Sequence, residues 1–124
     1  MTQPLVDVII PVHTPERPIA RAVASVLEGT TADVRVLVVC HNIDVDAIGA
    51  ALGPWAHDER VELMAHRDAF RSAAGPVNAA LAAASAQFTA LLDSDDEFER
   101  GAVDAWLTVQ RRDHADIVIV RERL

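Results

Sequence analysis

Apolar residues fall in five short runs along the chain, at 6–12, 34–40, 61–65, 88–92 and 117–120, most of them rich in Val, Ile and Leu. Most lack the strict alternation of a strand with one wet face, so they predict strands of a sheet covered on both sides. Between the runs the period changes. After Pro18, which suits the first turn of a helix, Ile19, Ala22, Val23, Val26 and Leu27 trace one apolar stripe that stops at Gly29. A weaker helix is expected over 45–52, ending at Gly53-Pro54. Gly75-Pro76 opens an alanine-rich helix to about residue 85, with Val77, Leu81 and Ala84 on one side. A last helix over 100–112 buries Val103, Trp106 and Leu107 and finishes with Arg111 and Arg112, where the macrodipole favours cations.

Strand and helix alternate in this way to the end. That alternation predicts right-handed crossovers and an α/β fold, a doubly wound, mostly parallel sheet with helices on both faces. In open sheets of this kind ligands bind beyond the carboxyl ends of the strands. Those ends are residues 11–14, 41–44, 66–68 and 93–96, and chemistry is sought there. No fixed-period repeat, low-complexity block or linker interrupts the chain, so residues 1–124 are expected to form a single domain.

Composition narrows the function classes. With 124 residues, 51% of them apolar, the chain is long enough to bury one core. No run approaches the roughly 18 apolar residues of a membrane helix. The opening Met1-Thr2-Gln3-Pro4 lacks the basic region of a signal peptide, and a cytoplasmic location is expected. A net charge of -8 argues against nucleic acid as a partner, and an anionic ligand would need a local cation. Lone Cys40 lies inside an apolar run and reads as a small buried hydrophobe rather than a nucleophile. His41, His57, His66 and His114 lack the short paired spacing of a zinc site. Trp55 and Trp106 read as packing residues. Neither a P-loop nor a dinucleotide-binding glycine pattern follows the first strand.

The acidic stretch "LLDSDDEF", residues 91–98, is the main chemical signal. Asp93, Asp95 and Asp96 repel one another unless a cation sits among them or water screens them. On an extended backbone Asp93 and Asp95 point to the same side and offer the oxygen donors that suit Mg²⁺ or Mn²⁺. The same residues also suit a solvated turn that caps the next helix. Spacing alone leaves both readings open.

Taken in order, "VDVIIPVHTPERPIARAVASVL", "VRVLVVCHN", "GPVNAALAAASAQFTALLDSDDEF" and the closing "ADIVIV" resemble the family-2 glycosyltransferases of the GT-A fold, over nearly the whole chain. The resemblance implies a Rossmann-like nucleotide-binding half. It also implies a nucleoside-diphosphate sugar, a UDP-sugar in the first instance, bound across the strand ends with Mn²⁺ or Mg²⁺ bridging Asp95 and the pyrophosphate. Asp93 would contact the ribose or share the metal. Asp96 matches the family's frequent extra acid, and is equally read as a supporting or helix-capping group. The implied reaction is inverting glycosyl transfer to an acceptor that these residues leave unspecified.

Pro11-Val12-His13 matches the family's first nucleotide-contacting turn, with His13 where an aromatic residue is common. Its imidazole either meets the nucleotide or simply fills the strand end. Asn42 matches the position that reads the base. The departures are informative too. Asp44 stands where a Gly-Ser-x-Asp-like turn is usual and reads as a helix N-cap. Val77-Asn78 replaces an Arg-Asn pair, leaving Asn78 as the match, with Arg67 or Arg71 as the substitute cation for a phosphate. The family's general base lies well downstream of the acidic motif, so it is expected beyond Leu124, and this chain is expected to be an incomplete GT-A domain lacking the acceptor-binding half. The alternative is a catalytically inactive nucleotide-binding or association module.

Overall fold

The computed structural model describes residues 3–123. Four strands, β1 (Val6–Val12), β2 (Val34–His41), β3 (Val61–His66) and β4 (Phe88–Leu91), alternate with four α-helices. The helices are α1 (Ile19–Gly29), α2 (Val45–Leu52), α3 (Ala74–Ala83) and α4 (Ala102–Asp113), and a 3-10 turn, Gly53–His57, follows α2. The sheet order is β3-β2-β1-β4 and every pairing is parallel. The chain is thus the expected doubly wound α/β fold.

Position in the sheet explains the composition of each strand. β1 and β2 are central, and all but one residue of each is buried, which is why they read as continuous apolar runs. β3 and β4 are edges and only half-buried. On one face Val8, Ile10, Val36 and Val38 share a core with Val23 and Val26 of α1, Ile48 of α2 and Leu107 of α4. Each such buried side chain stabilises the fold by about 1.5–3 kcal/mol. On the other face Ile9, Leu37 and Val39 meet Ala80 of α3, with Val77 and Ala84 packed against them. Alanine and valine at the contact let that helix lie close to the sheet.

Two expectations are corrected here. Residues 117–120 form no strand: Ile117 and Ile119 are 78% and 91% exposed, and the segment stands across an apolar groove from Phe88, Ala90 and Leu91 of β4. A strand needs a partner about 4.8 Å away to bond with, and among the described residues this segment pairs with none of the four strands. Leu81 is not on the buried stripe of α3 either. The sheet-facing positions are Val77, Ala80 and Ala84, and Leu81, 45% exposed, turns toward the same groove.

At the amino ends of the strands lies a buried charge. Asp7 is fully buried and accepts a two-pronged contact from Arg35, at 2.8 and 3.0 Å, plus the backbone N–H groups of Ser85 and Ala86 at 2.9 and 3.0 Å. Burial pushes its carboxyl pKa up, but Arg35 and the two amides more than offset this and hold it below its ordinary value. This cluster ties the loop before β4 to β1 and β2. Asp104 does the same for α4, accepting the N–H groups of Thr31 and Ala32 at 2.9 and 3.0 Å.

Candidate functional site

At the opposite, carboxyl ends of the strands a cleft of about 310 Å³ opens. Pro11, Val12 and His13 from the end of β1, His41 from the end of β2, and Asp93, Ser94 and Asp95 beyond β4 line it, with Arg17 and Arg71 contributing the cations. Leu92 keeps β4 in register one residue past its end, its N–H donating to Ile9 O at 3.0 Å. The chain then turns, Asp96 N–H donating to the Asp93 carbonyl at 3.1 Å. That turn gathers one carboxylate oxygen from each of Asp93, Asp95 and Asp96 within 4.8 Å of one another, all on exposed residues. A group of hard oxygen donors with this spacing can hold a divalent cation. The turn caps no helix: α4 begins at Ala102, behind Gly101, which adopts φ 82.

Arginines from the β1–α1 side brace this turn. Arg17 Nη1 lies 2.6 Å from Asp95 Oδ2, while Arg21 donates to the Asp95 carbonyl at 3.1 Å and stands 3.7 Å from Glu97. Arg71, across the cleft, is exposed and free of ion pairs among the described residues.

A second group sits beside the cleft, where β2 and β3 end in register with His41 opposite His66. Asp68 accepts from both rings, Oδ1 at 2.8 Å from His41 Nε2 and Oδ2 at 3.0 Å from His66 Nε2. The hydrogen bond from His41 is the main reason that its carboxyl pKa is lowered to about 2. Asn42, with φ 54, donates its N–H to His66 O at 2.9 Å and accepts the Asp68 N–H on Oδ1 at 2.9 Å. Its side-chain carbonyl is therefore engaged in joining the two strand ends, and its NH₂ makes no hydrogen bond among the described residues. Gly75 closes over the group, since a Cβ there would overlap Asp68 Oδ2 and stand 2.8 Å from His66 Nε2.

Of the residues singled out from sequence, Pro11, Val12, His13, Asp93 and Asp95 line one cleft, together with Arg71. Asn42 and Asn78 do not line it: Asn42 holds the neighbouring turn, and Asn78 lies exposed on α3. Arg67 is exposed and outside the lining. Asp44 caps α2, its Oδ1 accepting the Asp46 N–H at 3.0 Å. Cys40 is fully buried, and burial, with a smaller contribution from Asp44, pushes its thiol up to about 11, so it is no nucleophile. Two features were not foreseen: the His41–Asp68–His66 group and the Arg17–Asp95 pair. For the histidines the available signal was that both close a strand in a parallel sheet.

A parallel sheet with a polar cleft at its carboxyl edge and an acidic turn inside it defines an open α/β domain of the kind that takes ligands at its strand ends. Residues 7–122 match Glycosyl transferase family 2, and the chain belongs to that family. It is 37% identical over 92 residues to the Escherichia coli UDP-Glc:alpha-D-GlcNAc-diphosphoundecaprenol beta-1,3-glucosyltransferase WfgD, covering 74% of this chain and 35% of that protein. Its fold is similar to that of S. aureus TarS, with TM-score 0.72 and 21% identity over 90% of this chain and 33% of that one; TarS has also been solved with UDP-GlcNAc. A further match is the mannosyltransferase PcManGT from Pyrobaculum calidifontis in complex with GDP-Man and Mn²⁺, with TM-score 0.68 and 22% identity over 88% of this chain and 33% of that one. The chain thus spans about a third of the length of these proteins.

Proposed function

We propose that residues 1–124 form the donor-binding unit of a metal-dependent, inverting glycosyltransferase, holding a nucleoside-diphosphate sugar in the cleft at the carboxyl ends of the strands. The observation that carries this reading is the convergence of oxygens from Asp93, Asp95 and Asp96, the first two lining the same cleft as Pro11, His13 and Arg71, in a chain of this family. Asp95 and Asp93 would hold Mn²⁺ or Mg²⁺, with Asp96 beside them. Bound there, the ion supplies Lewis-acid neutralisation of the charge that grows on the departing nucleoside diphosphate. Arg71 meets a phosphate from the other wall, His13 and the Pro11-Val12 backbone border the nucleoside, and Asn42 offers its amide NH₂ from the adjoining turn. The UDP assignment of the donor draws on the similarity to a UDP-Glc-dependent relative.

The test is ligand-induced stabilisation. Mn²⁺ with UDP at about 100 times its Kd should stabilise the fold by about 2.7 kcal/mol and raise the melting temperature accordingly. Asp95→Ala should abolish the shift, and an unchanged shift would remove Asp95 from the metal site. A second reading, nucleotide binding without catalysis, is favoured by one specific observation: Asp93 and Asp95 are the only carboxylates lining the cleft among the described residues.

A further inference from the structure

The metal-binding reading leaves one contact without a role, because Asp95 is already neutralised by a residue of the chain itself. Arg17 Nη1 stands 2.6 Å from Asp95 Oδ2, and the guanidinium lines the same cleft as Arg71. Its side chain is 41% exposed and that of Asp95 47%, so the arginine can leave without unpacking any core residue. The loop does not depend on it alone. Arg21 holds the Asp95 carbonyl at 3.1 Å and Glu97 at 3.7 Å.

We propose that Arg17 is an exchangeable counter-ion of the acidic turn, one that pairs with Asp95 in the unliganded chain and moves onto the phosphate oxygens of a nucleoside diphosphate when Asp95 takes a divalent cation. The proposal rests on the donor-site reading above. Its physical basis is charge. A dication and a guanidinium sharing one carboxylate repel each other at short range, so Arg17 opposes binding of the metal by itself. An arriving diphosphate reverses the sign of that effect, because it gives the displaced guanidinium a two-pronged anionic partner within the same cleft. Metal and nucleotide are then coupled through Arg17, and by linkage each tightens the other. The arrangement disfavours a metal-loaded but nucleotide-free site.

The experiment measures Mn²⁺ binding to the 124-residue chain by paramagnetic resonance of the free ion, and UDP or GDP binding by calorimetry at saturating Mn²⁺. Wild type is compared with Arg17→Gln and Arg17→Lys. Arg17→Gln should tighten Mn²⁺ alone by roughly three-fold and weaken the nucleoside diphosphate by about ten-fold, opposite shifts that a merely structural role does not produce. Arg17→Lys, which keeps the charge, should return both values toward wild type. The proposal is overturned if Arg17→Gln leaves Mn²⁺ affinity unchanged or lowers it, or if nucleotide affinity does not fall. Wild type that binds neither Mn²⁺ nor nucleotide would overturn the donor-site reading and this proposal with it. Wild type that binds both, with Arg17→Gln indistinguishable from it, would overturn this proposal alone.

Discussion

Asp68 shows how much of the local order rests on single side chains. Its two oxygens serve two histidines from different strands, and its own N–H goes to Asn42, so one residue closes the β2 and β3 ends together. Its carboxyl titrates at about 2 in the fold against an ordinary 3.8. A pKa lowered by folding means stability that is present above the unfolded value and lost as pH falls through the folded one. The stability advantage of wild type over Asp68→Asn should therefore shrink as pH falls from about 5 to about 2, as measured by urea denaturation across that range. A difference that persists unchanged at pH 2 would place the stabilisation in neutral hydrogen bonds rather than in the charge. Such residues were only partly legible beforehand. The acidic turn announced itself by local spacing, whereas Asp68 meets His41 across 27 positions of sequence, a contact that only strand register creates.

Among the elements, α3 carries the constraint that follows from this group. Gly75 lies in its first turn, where replacing glycine by alanine ordinarily stabilises a helix by about 0.5–1 kcal/mol. Here the added methyl would collide with Asp68 Oδ2 and crowd His66 Nε2, side-chain atoms that must move aside and give up their hydrogen bond. Gly75→Ala is expected to lose the helix gain, and the Asp68 carboxyl should rise toward 3.8, read by carboxyl NMR titration. A higher melting temperature with an unmoved Asp68 would show that the helix and the histidine group are not in contact. Element identity was otherwise well encoded. The continuous apolar runs gave β1 and β2, and the stripe from Ile19 to Leu27 gave α1. The misreadings fall where a pattern is only half the cause: residues 117–120 have strand composition but no bonding partner, and α3 has too little polar contrast to fix which side faces the sheet.

Across the whole molecule the two ends of the sheet hold charge in different ways. At the amino ends Asp7 is fully buried and paired with Arg35 in a contact that braces strands and loop; breaking such a pair costs about 3–5 kcal/mol. At the carboxyl ends the carboxylates of Asp93, Asp95 and Asp96 are exposed, and the only ion pair they make among the described residues is the half-exposed one with Arg17. An exposed pair of this kind contributes at most about 1 kcal/mol, so the acidic turn is available to a ligand where the buried aspartate is not. Availability for binding is not competence for transfer. Direct displacement at an anomeric carbon needs a base within about 3 Å of the acceptor hydroxyl, on the face away from the leaving group. Asp93 and Asp95 are the only carboxylates lining the cleft among the described residues, and under the proposed function both face the metal and nucleotide. The 124-residue chain should accordingly bind Mn²⁺ and UDP yet release no measurable UDP from a UDP-sugar, with or without candidate acceptor sugars, in a coupled nucleotide-release assay. Turnover that is lost in Asp93→Asn while Mn²⁺ and UDP binding stay at the wild-type level would move Asp93 from donor binding to the base.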